Sequence, residues 1–496
     1  MEQDVITGKD LIEWGIQPLD GNGKKFGEWL RLAQKMESDP HEPLAYDEIK
    51  RSILGLKAEA EAEVAAVQKK WSEVRTNDLP ISVFLEPENE DEQRNLDAVM
   101  AHMDNIARLP SVRSLAVMPD SMPSGSQPGT IPVGGVVATE GTIHPGMHSA
   151  DICCSMAITV FNRDEDVKRV LDEAMKVTHF GFGKRAKSEV RRDHGLKEIL
   201  KQFEGNKFLD DPKMLDAAEN HFMTQGDGNH FLYVGHLEST GQLALVTHHG
   251  SRSLGGLLYK FGMAAAKKHT AIVSPRTPDH QAWLEFDRPE GQAYWEALQL
   301  IRLWTKHNHY SIHDGIAKRL GNKVVDRFWN EHNFVFQKDG LFYHAKGATP
   351  SYDGFSPDDD GRTLIPMNMA QPILIARHSN QPGTHFFAPH GAGRNFSRTE
   401  HNRRLAAKHG ELSAFEQTRK LSPRVAKIAL DEETEGLDIR FYTGAPDTSE
   451  LPSSYKSAEQ VERQIRKHNL ARVVDRVIPG GTIMAGEVEQ FWRKKK

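Results

Sequence analysis

The sequence predicts an α+β fold, with a mixed core over residues 83–496 and a helical appendage over residues 1–82. Short apolar runs in a region rich in Gly, Pro and Ser, residues 110–160, indicate strands joined by loops. Amphipathic stretches on both sides of that region indicate helices. The chain has 496 residues, which is enough for a large buried core and an additional segment.

The predicted appendage contains three helical stretches. Asp10–Trp14 is a short amphipathic stretch, and apolar residues recur at helical spacing from Phe26 to Ala33. Residues 47–76 are rich in Ala, Glu and Lys, which is typical of a solvated helix. The composition changes between Asn77 and Pro87, and this change sets the boundary at residue 82.

The core is predicted to mix strands and helices without an internal repeat or a long linker. Strands are predicted for Ile81–Leu85, Leu115–Met118, Val133–Ala138 and Ala157–Phe161. Helices are predicted for residues 88–109, 164–176, 187–204, 291–319, 397–420 and 456–468. Residues 349–363 are rich in Asp, Gly and Pro and indicate a turn-rich excursion.

Charge and composition exclude several classes of protein. Lys and Arg total 63 against 69 Asp and Glu, and the net charge of −6 does not suit binding of nucleic acid over the whole surface, although a local basic channel remains compatible. No run approaches ~18 apolar residues, so we expect no membrane span. The acidic start lacks the parts of a secretory signal. Two adjacent cysteines cannot build a disulfide framework, so we expect a cytoplasmic protein.

Three motifs carry side chains that bind metals. Asp151 and Cys154 can turn towards one ion, although a buried pair of free cysteines is the alternative. Asn229 and His230 follow a Gly-rich turn at the start of an apolar run, where a histidine is either a ligand or structural. His248 ends another apolar run and is followed by Gly-Ser-Arg, which suits a metal or a phosphate.

Two further motifs combine a reactive side chain with glycines. Lys346 stands beside a Gly-containing turn and is either a phosphate ligand or an ordinary surface lysine. His390 is followed by Gly391, Ala392, Gly393 and Arg394. A histidine at such a tight turn beside an arginine can act as base, ligand or nucleophile, unless the turn carries it only incidentally.

Taken together, these motifs resemble the RtcB family of RNA ligases, and the resemblance runs from about Leu115 to the C-terminus. The matching blocks, in family order, are Met118-Pro-Asp120, Pro132-Val-Gly-Gly135, Asp151-x-x-Cys154, Gly228-Asn-His-Phe231, His248-x-Gly-Ser-Arg252, His332-Asn333, Lys346-Gly-Ala-Thr349, His390-Gly-Ala-Gly-Arg394 and Tyr455-Lys456. The resemblance implies an α+β core with β-sheets around a dinuclear metal centre and helices outside.

The resemblance also implies roles for individual residues. Cys154 would bridge two Mn²⁺ ions, with Asp151 and His230 completing one site and His248 and His332 the other. His390 would attack the α-phosphate of GTP and become His–GMP, and Asn229 would contact the nucleotide phosphate. The nucleotide pocket would also include Gly391, Ala392, Gly393, Arg394, Asn368, Tyr233 and Ala485.

The implied activity joins an RNA 3′-phosphate or 2′,3′-cyclic phosphate to a 5′-hydroxyl, in tRNA splicing or RNA repair. RNA contact is expected in a groove, with Arg185, Lys187, Arg191, Arg192 and Arg252 as candidates. Many family members are helped by a small activating protein, archease, so an archease-like partner is compatible.

This chain departs from the family pattern around the nucleotide base. Tyr233 stands where the family has Glu, Ala485 where it has Lys, and Met122 where it has His. Residues 366–370 match the family's Gly-Ser-x-Gly block only in outline. Losing groups that hydrogen-bond a base changes specificity by ~1–3 kcal/mol each. The chain therefore resembles a divergent paralogue with an altered base pocket.

Two other functions are compatible with the same residues. One is a metal-dependent phosphatase or cyclic phosphodiesterase acting on RNA ends, which needs the five metal ligands but not His390. The other is a non-catalytic protein that binds RNA ends. The intact ligand set and His390 favour the ligase.

Overall fold

The computed structural model describes residues 5–17, 23–71, 79–181, 183 and 190–487. The chain divides into two compact units, Met1–Glu73 with Ile272–Pro275, and Val74–Ala271 with Arg276–Lys496. None of the helices in these ranges has a stretch long and apolar enough to cross a bilayer.

The helices of the described residues alternate irregularly with the strands. They are α1 (Gly8–Glu13), α2 (Gly23–Glu37), α3 (Tyr46–Trp71), α4 (Glu90–Ile106), α5 (Val167–Val177), α6 (His194–Lys201), α7 (Pro212–Asn220), α8 (Arg252–Val273), α9 (Pro289–Leu320), α10 (Arg398–Lys408), α11 (Leu412–Thr418), α12 (Pro423–Glu433) and α13 (Ala458–Lys467).

The strands of the described residues all lie after residue 80. They are β1 (Ile81–Val83), β2 (Val112–Met122), β3 (Val133–Glu140), β4 (Thr142–Ile143), β5 (Ser155–Phe161), β6 (His179–Phe180), β7 (Thr224–Gly226), β8 (Phe231–Leu237), β9 (Leu243–His249), β10 (Leu284–Glu285), β11 (Val324–Glu331), β12 (Asn333–Lys338), β13 (Leu341–Lys346), β14 (Ala348–Pro350), β15 (Arg362–Ile365), β16 (Ile373–His378), β17 (Phe387–Pro389), β18 (Asp438–Phe441) and β19 (Ala471–Met484).

Within the first unit, α1, α2 and α3 share a small core. Leu11, Ala33, Ile49 and Ile53 are fully buried there. Thr7 caps α1, because its side chain accepts from the Lys9 N–H and the Asp10 carboxylate accepts from the Thr7 N–H at 2.8 Å. The three predicted helical stretches are present, and residues 72–76 of the third lie outside the described residues.

The second unit is built on two larger sheets. An eight-stranded sheet has the order β11-β5-β9-β8-β19-β16-β15, with β18 paired to β19, and a five-stranded sheet has the order β1-β2-β3-β13-β12. Every residue of β5 and β9 is buried. This burial explains why those strands are continuous apolar runs instead of alternating patterns, since both of their faces are covered.

Strand register brings three histidines and one cysteine to one edge of the eight-stranded sheet. Met156 of β5 pairs with His248 of β9, and His248 pairs with Phe231 of β8. Cys154 and His230 each directly precede one of these strands, and His332 directly follows β11, the neighbour of β5. Sequence-distant ligands therefore meet because their strands begin or end at the same edge.

The sequence-based prediction differs from the structure in several places, and it missed α7, α8 and α12. The predicted helix over residues 397–420 is two helices, because Gly410 (φ +74°) follows α10 in the left-handed region. Of the helix predicted over residues 187–204, residues 187–189 lie outside the described residues, and the rest contains the shorter α6, where the Asp193 side chain accepts from the Leu196 N–H. The strand β19 was missed, since Pro479-Gly-Gly481 indicates a break that the sheet absorbs as a register shift.

Lowering the pH from 7 to 5 is expected to destabilise the second unit. Burial lowers the pKa of His144 and of His313 to about 3, and that of His148 to about 4. The unfolded chain takes up these protons near pH 6.5 and the folded chain does not. Stability is therefore complete above pH 6.5 and falls as the pH drops towards 4, by about 1.4 kcal/mol per pH unit for each histidine.

Urea titrations at pH 7, 6 and 5 measure this dependence. His313→Gln should reduce its slope by about one proton, because burial keeps the native imidazole neutral between the Thr159 and Thr247 hydroxyls, which lie 2.8 Å from its two nitrogens. A midpoint that stays constant from pH 7 to pH 5 would contradict the expectation.

Candidate metal centre and adjoining cavity

Two groups of metal-binding side chains share Cys154. Asp151, Cys154 and His230 form one group, and Cys154, His248 and His332 form the other, with the ligand atoms of each group within 4.8 Å of one another. The Cys154 Sγ lies 3.4 Å from His230 Nε2 and 3.2 Å from His248 Nε2. The structure thus brings together all five residues for which the resemblance implies metal binding, in the same two sets.

Backbone carbonyls fix the orientation of two of these imidazoles. His230 Nδ1 donates to the Gln225 carbonyl at 2.8 Å, and His248 Nδ1 donates to the Asn229 carbonyl at 3.0 Å. Because a carbonyl only accepts, both Nε2 atoms carry lone pairs, and both face Cys154. Convergent lone pairs of this kind are stable when a cation lies between them.

Burial keeps two of the imidazoles, those of His248 and His332, neutral. Burial lowers the pKa of His248 to about 3 and that of His332 well below its ordinary value. Desolvation by burial acts to raise the pKa of Asp151. The charge and the hydrogen bond of His230 lower it by more, and the pKa is about 2. Neutral imidazoles and an ionised carboxylate are the forms that bind metals.

The donor set fits divalent transition ions. Thiolate and imidazole suit a borderline metal such as Zn²⁺, and imidazole with carboxylate also suits Mn²⁺. The Nδ1 atom of His332 is buried and has no hydrogen-bond partner in the described chain, and its Nε2 lies 3.1 Å from His248 Nε2. The residues present therefore fit two ions that share one sulfur.

His390 lies beside this cluster and is held by a buried carboxylate. Its ring centroid is 4.9 Å from that of His332. The Nδ1 atom donates to Asp120 Oδ2 at 2.5 Å, and the backbone N–H of His390 donates to the same oxygen at 3.1 Å. Asp120 is fully buried. This arrangement places the imidazole lone pair on Nε2, as a nucleophile requires.

Lys456 fixes the backbone on both sides of Asp120. Its ammonium donates to the carbonyls of Pro119 and Ser121, at 2.7 and 3.0 Å, on both sides of Asp120. Burial lowers the pKa of Lys456 to about 8, although the charge of Asp120 opposes this shift. The sequence blocks contained both residues, but sequence reasoning assigned neither of them a role.

A cavity of about 200 Å³ adjoins His390 and His248. Its wall includes eight of the residues implied for the nucleotide pocket: Asn229, Tyr233, Asn368, His390, Gly391, Ala392, Gly393 and Arg394. Apolar side chains complete much of the wall: Phe231, Met367, Met369, Ile373 and Met484. Met122, which stands where the family has His, also lines it.

The other two substituted positions, Tyr233 and Ala485, differ in their relation to this cavity. Tyr233 lines it, but its hydroxyl donates to the carbonyls of Val477 and Gln371, at 3.1 and 3.3 Å. The ring of Tyr233 therefore lines the cavity without a hydroxyl that is free to bind a ligand. Ala485 is buried and is not among the lining residues, whereas Thr482 and Met484 are.

The arginines of the site are partly neutralised within the protein. Arg394 and Arg398 both pair with the buried carboxylate of Glu450, and Tyr455 donates to the same carboxylate. Sequence reasoning missed Glu450, because no motif contains it. Lys346 donates to Ser124 and to the Ile131 carbonyl, so its ammonium has structural partners.

The predicted RNA groove is described only in part. Arg192 pairs with Glu219, Arg191 donates to the Lys176 carbonyl, and Arg252 donates to Thr224 and to the Gly181 carbonyl. Arg185 and Lys187 lie outside the described residues.

Comparison with known proteins agrees with this arrangement of an α+β core around a candidate metal centre. Residues 102–485 match the model of the family described as tRNA-splicing ligase RtcB. The chain belongs to the RtcB family.

Several relatives share about a quarter of their residues with this chain. The tRNA-splicing ligase RtcB of Thermococcus kodakarensis is 24% identical over 462 residues, which cover 79% of this chain and 92% of the relative. The RNA-splicing ligase RtcB of Mycobacterium tuberculosis is 24% identical over 448 residues, 76% of this chain and 99% of the relative. RtcB2 of Escherichia coli, an RNA-splicing ligase, is 26% identical over 384 residues, 72% of this chain and 83% of the relative.

Proposed function

We propose that this chain is an RNA ligase that joins a 3′-phosphate or 2′,3′-cyclic phosphate end to a 5′-hydroxyl end, in tRNA splicing or RNA repair. One observation carries the proposal: His390 is oriented by Asp120 at the wall of a cavity, beside two groups of metal ligands that share Cys154. Family membership and the names of the relatives agree with it.

The proposed cofactors are two Mn²⁺ ions. Asp151, Cys154 and His230 would hold one, and Cys154, His248 and His332 the other. Such ions neutralise phosphate charge and orient a leaving group.

In the proposed reaction, His390 transfers a nucleotide. The Nε2 lone pair attacks the α-phosphorus of GTP, the P–N bond forms and the P–O bond to pyrophosphate breaks. Asp120 accepts the Nδ1 hydrogen bond and stabilises the positive charge that develops on the ring. An oxygen of the RNA 3′-phosphate then displaces His390, and the nucleotide passes to the RNA. The RNA 5′-hydroxyl attacks, loses its proton and expels GMP, while water first opens a 2′,3′-cyclic phosphate.

The cavity wall offers few polar groups that are free to recognise the nucleotide base. Tyr233 contributes a ring face whose hydroxyl is occupied by backbone carbonyls. The remaining polar groups at the wall include Thr482, whose buried hydroxyl has no partner in the described chain, and Asn368, whose Oδ1 accepts from the Ala370 N–H. Stacking and apolar contact discriminate little between purines, so we propose that GTP is used with relaxed selectivity over ATP.

The proposed enzyme has two domains, a cytoplasmic location and a compatible activator. We propose residues 1–82 as a helical appendage to a catalytic domain over residues 83–496. The two cysteines are free and buried, which suits the reducing cytoplasm. An archease-like activator would be revealed by activity that appears only when such a partner is added.

Joining of two synthetic RNAs tests the function. With Mn²⁺ and GTP, an RNA ending in 3′-phosphate and one beginning with 5′-hydroxyl should give one longer product, and an RNA ending in 3′-hydroxyl should not react. Release of phosphate, or opening of the cyclic phosphate without joining, would replace the proposal with the phosphatase or phosphodiesterase function. RNA binding without either reaction would favour the non-catalytic function.

Asp120→Asn is expected to slow nucleotide transfer by about 100-fold or more. The change keeps the shape of the side chain but removes the charge that orients His390 and stabilises its cationic ring. Single-turnover formation of the covalent adduct measures the effect. Asp339→Asn is the control, since the Asp339 side chain is 71% exposed and does not line the cavity. An Asp120→Asn rate within a factor of about two of wild type would contradict the expectation.

A further inference from the structure

Asp353, Asp359 and His378 form a second polar cluster, which we call the Asp–His cluster. Their potential ligand atoms lie within 4.8 Å of one another, and none of the three belongs to the groups around Cys154. Asp353 and Asp359 lie in the turn-rich loop between β14 and β15, and His378 is the last residue of β16.

The imidazole of His378 is buried with one unsatisfied nitrogen. Its side chain is 1% exposed. Nδ1 lies 3.1 Å from Asp353 Oδ1, whereas the buried Nε2 has no hydrogen-bond partner in the described part of the chain. A buried polar atom without a partner is costly, so its surroundings require an explanation.

The carboxylate of Asp359 faces this nitrogen. Asp359 Oδ1 lies 3.8 Å from His378 Nε2, which is too far for a direct hydrogen bond. A divalent ion binds imidazole nitrogen and carboxylate oxygen at about 2.0–2.2 Å each, and one ion between the two atoms spans this separation. The side chain of Asp359 is 3% exposed and is fixed by the Gly354 and Gly361 N–H groups, at 2.7 and 2.9 Å.

Some aspartates of the loop pair with basic side chains and others do not. Asp358 pairs with Arg302 and Lys306, and Asp360 pairs with Arg362. By contrast, the described chain places no Lys or Arg within 4.0 Å of the carboxylates of Asp353 and Asp359. A nearly buried carboxylate without a cation is unfavourable, and a bound cation removes that cost.

Asp353 is exposed but nevertheless held in place. Its backbone N–H donates to Asn380 Oδ1 at 2.8 Å, and Asn380 Nδ2 donates to Asp353 Oδ2 at 3.1 Å. A carboxylate that orients or accompanies a metal-binding imidazole is the usual support of such a ligand. Arg377 is the nearby cation, and its guanidinium donates to the Asp360 carbonyl.

From this geometry we infer that the Asp–His cluster binds one divalent transition-metal ion, which fastens the loop over residues 351–361 to the end of β16. The ion would be held by His378 Nε2 and Asp359 Oδ1, while Asp353 accepts the Nδ1 hydrogen bond and orients the imidazole. Imidazole with carboxylate suits Zn²⁺ and Mn²⁺, and such a site binds Zn²⁺ more tightly than Mn²⁺. These two protein ligands leave the remaining coordination positions of the ion to water.

The test compares matched variants of the full-length chain that also carries Cys154→Ala, which removes the sulfur common to the other two groups. The chelated and dialysed protein is titrated with Zn²⁺, and bound ions are counted by native mass spectrometry. Asp353→Ala is expected to lower the Zn²⁺ affinity of one site by at least about tenfold. Asp360→Asn, a change in the same loop outside the cluster, should leave it unchanged.

Asp353 is exposed, so its replacement leaves the core intact, and a circular dichroism spectrum verifies folding. Zn²⁺ should also raise the Tm of the Asp360→Asn chain more than that of the Asp353→Ala chain. Equal ion counts and equal Tm shifts in the two variants would overturn the inference. Because the background lacks Cys154, this result is independent of the proposed ligase activity.

Discussion

His390→Ala is expected to abolish both the covalent nucleotide adduct and RNA joining. The variant removes the Nε2 atom, which the Asp120 contact leaves free to attack phosphorus. The Nε2 atom of His248, which also lines the cavity, faces Cys154 instead. Intact mass after incubation with Mn²⁺ and each NTP separately measures the adduct as the added mass of one nucleoside monophosphate. The NTP that reacts also reports whether Tyr233 has altered base selectivity.

The control for this experiment is His194→Ala, since the His194 side chain is 86% exposed. It should form the adduct like wild type. If His390→Ala loses joining but still opens 2′,3′-cyclic phosphates, the metal groups act as a hydrolase on their own. If metal-loaded wild type forms no adduct with any NTP, the ligase proposal is wrong.

Cys154→Ala should remove two bound Mn²⁺ ions from each chain, the second large effect that we expect. The sulfur belongs to both groups of ligands, so its loss leaves each with only two of its three side chains. Metal content after equilibration with Mn²⁺ should therefore fall by two ions, and joining should fall below detection.

Two neighbouring substitutions distinguish a shared sulfur from a general defect. Asp151→Ala should remove one ion, because Asp151 belongs to one group only. Cys153→Ala should remove none, because Cys153 is equally buried but belongs to neither group. A loss of only one ion in Cys154→Ala would refute the sharing of the thiolate.

The sequence predicted which side chains gather at the candidate metal centre. Asp151 and Cys154 are three residues apart, and His230 and His248 each flank an apolar run, which allowed them to be placed at strand ends. His332 was assigned to the centre through the resemblance alone. Resemblance supplied the grouping that the structure also displays. Helices with strong amphipathic patterns, such as α13, were likewise predicted within a few residues of their bounds.

Residues that depend on long-range packing were not assigned. Asp120 reaches His390 across 270 positions, and a short motif gives no sign of such a contact. Ala485 was expected in the nucleotide pocket. Side chains alternate along a strand, so Thr482 and Met484 face the cavity together while residue 485 follows the end of β19. Whether Ala485 affects base selectivity remains a prediction.

The sheet-edge location of the candidate centre has a consequence for length variation among related chains. Cys154, His230, His248 and His332 depend on the register of β5, β8, β9 and β11 at one edge. An insertion of one residue within Leu243–Val246 would turn His248 to the opposite face of the sheet. The turns at the far ends of these strands, such as residues 238–242, can lengthen freely, because extra residues there leave the register unchanged. Insertions and deletions should therefore be tolerated at one end of this sheet and excluded at the other.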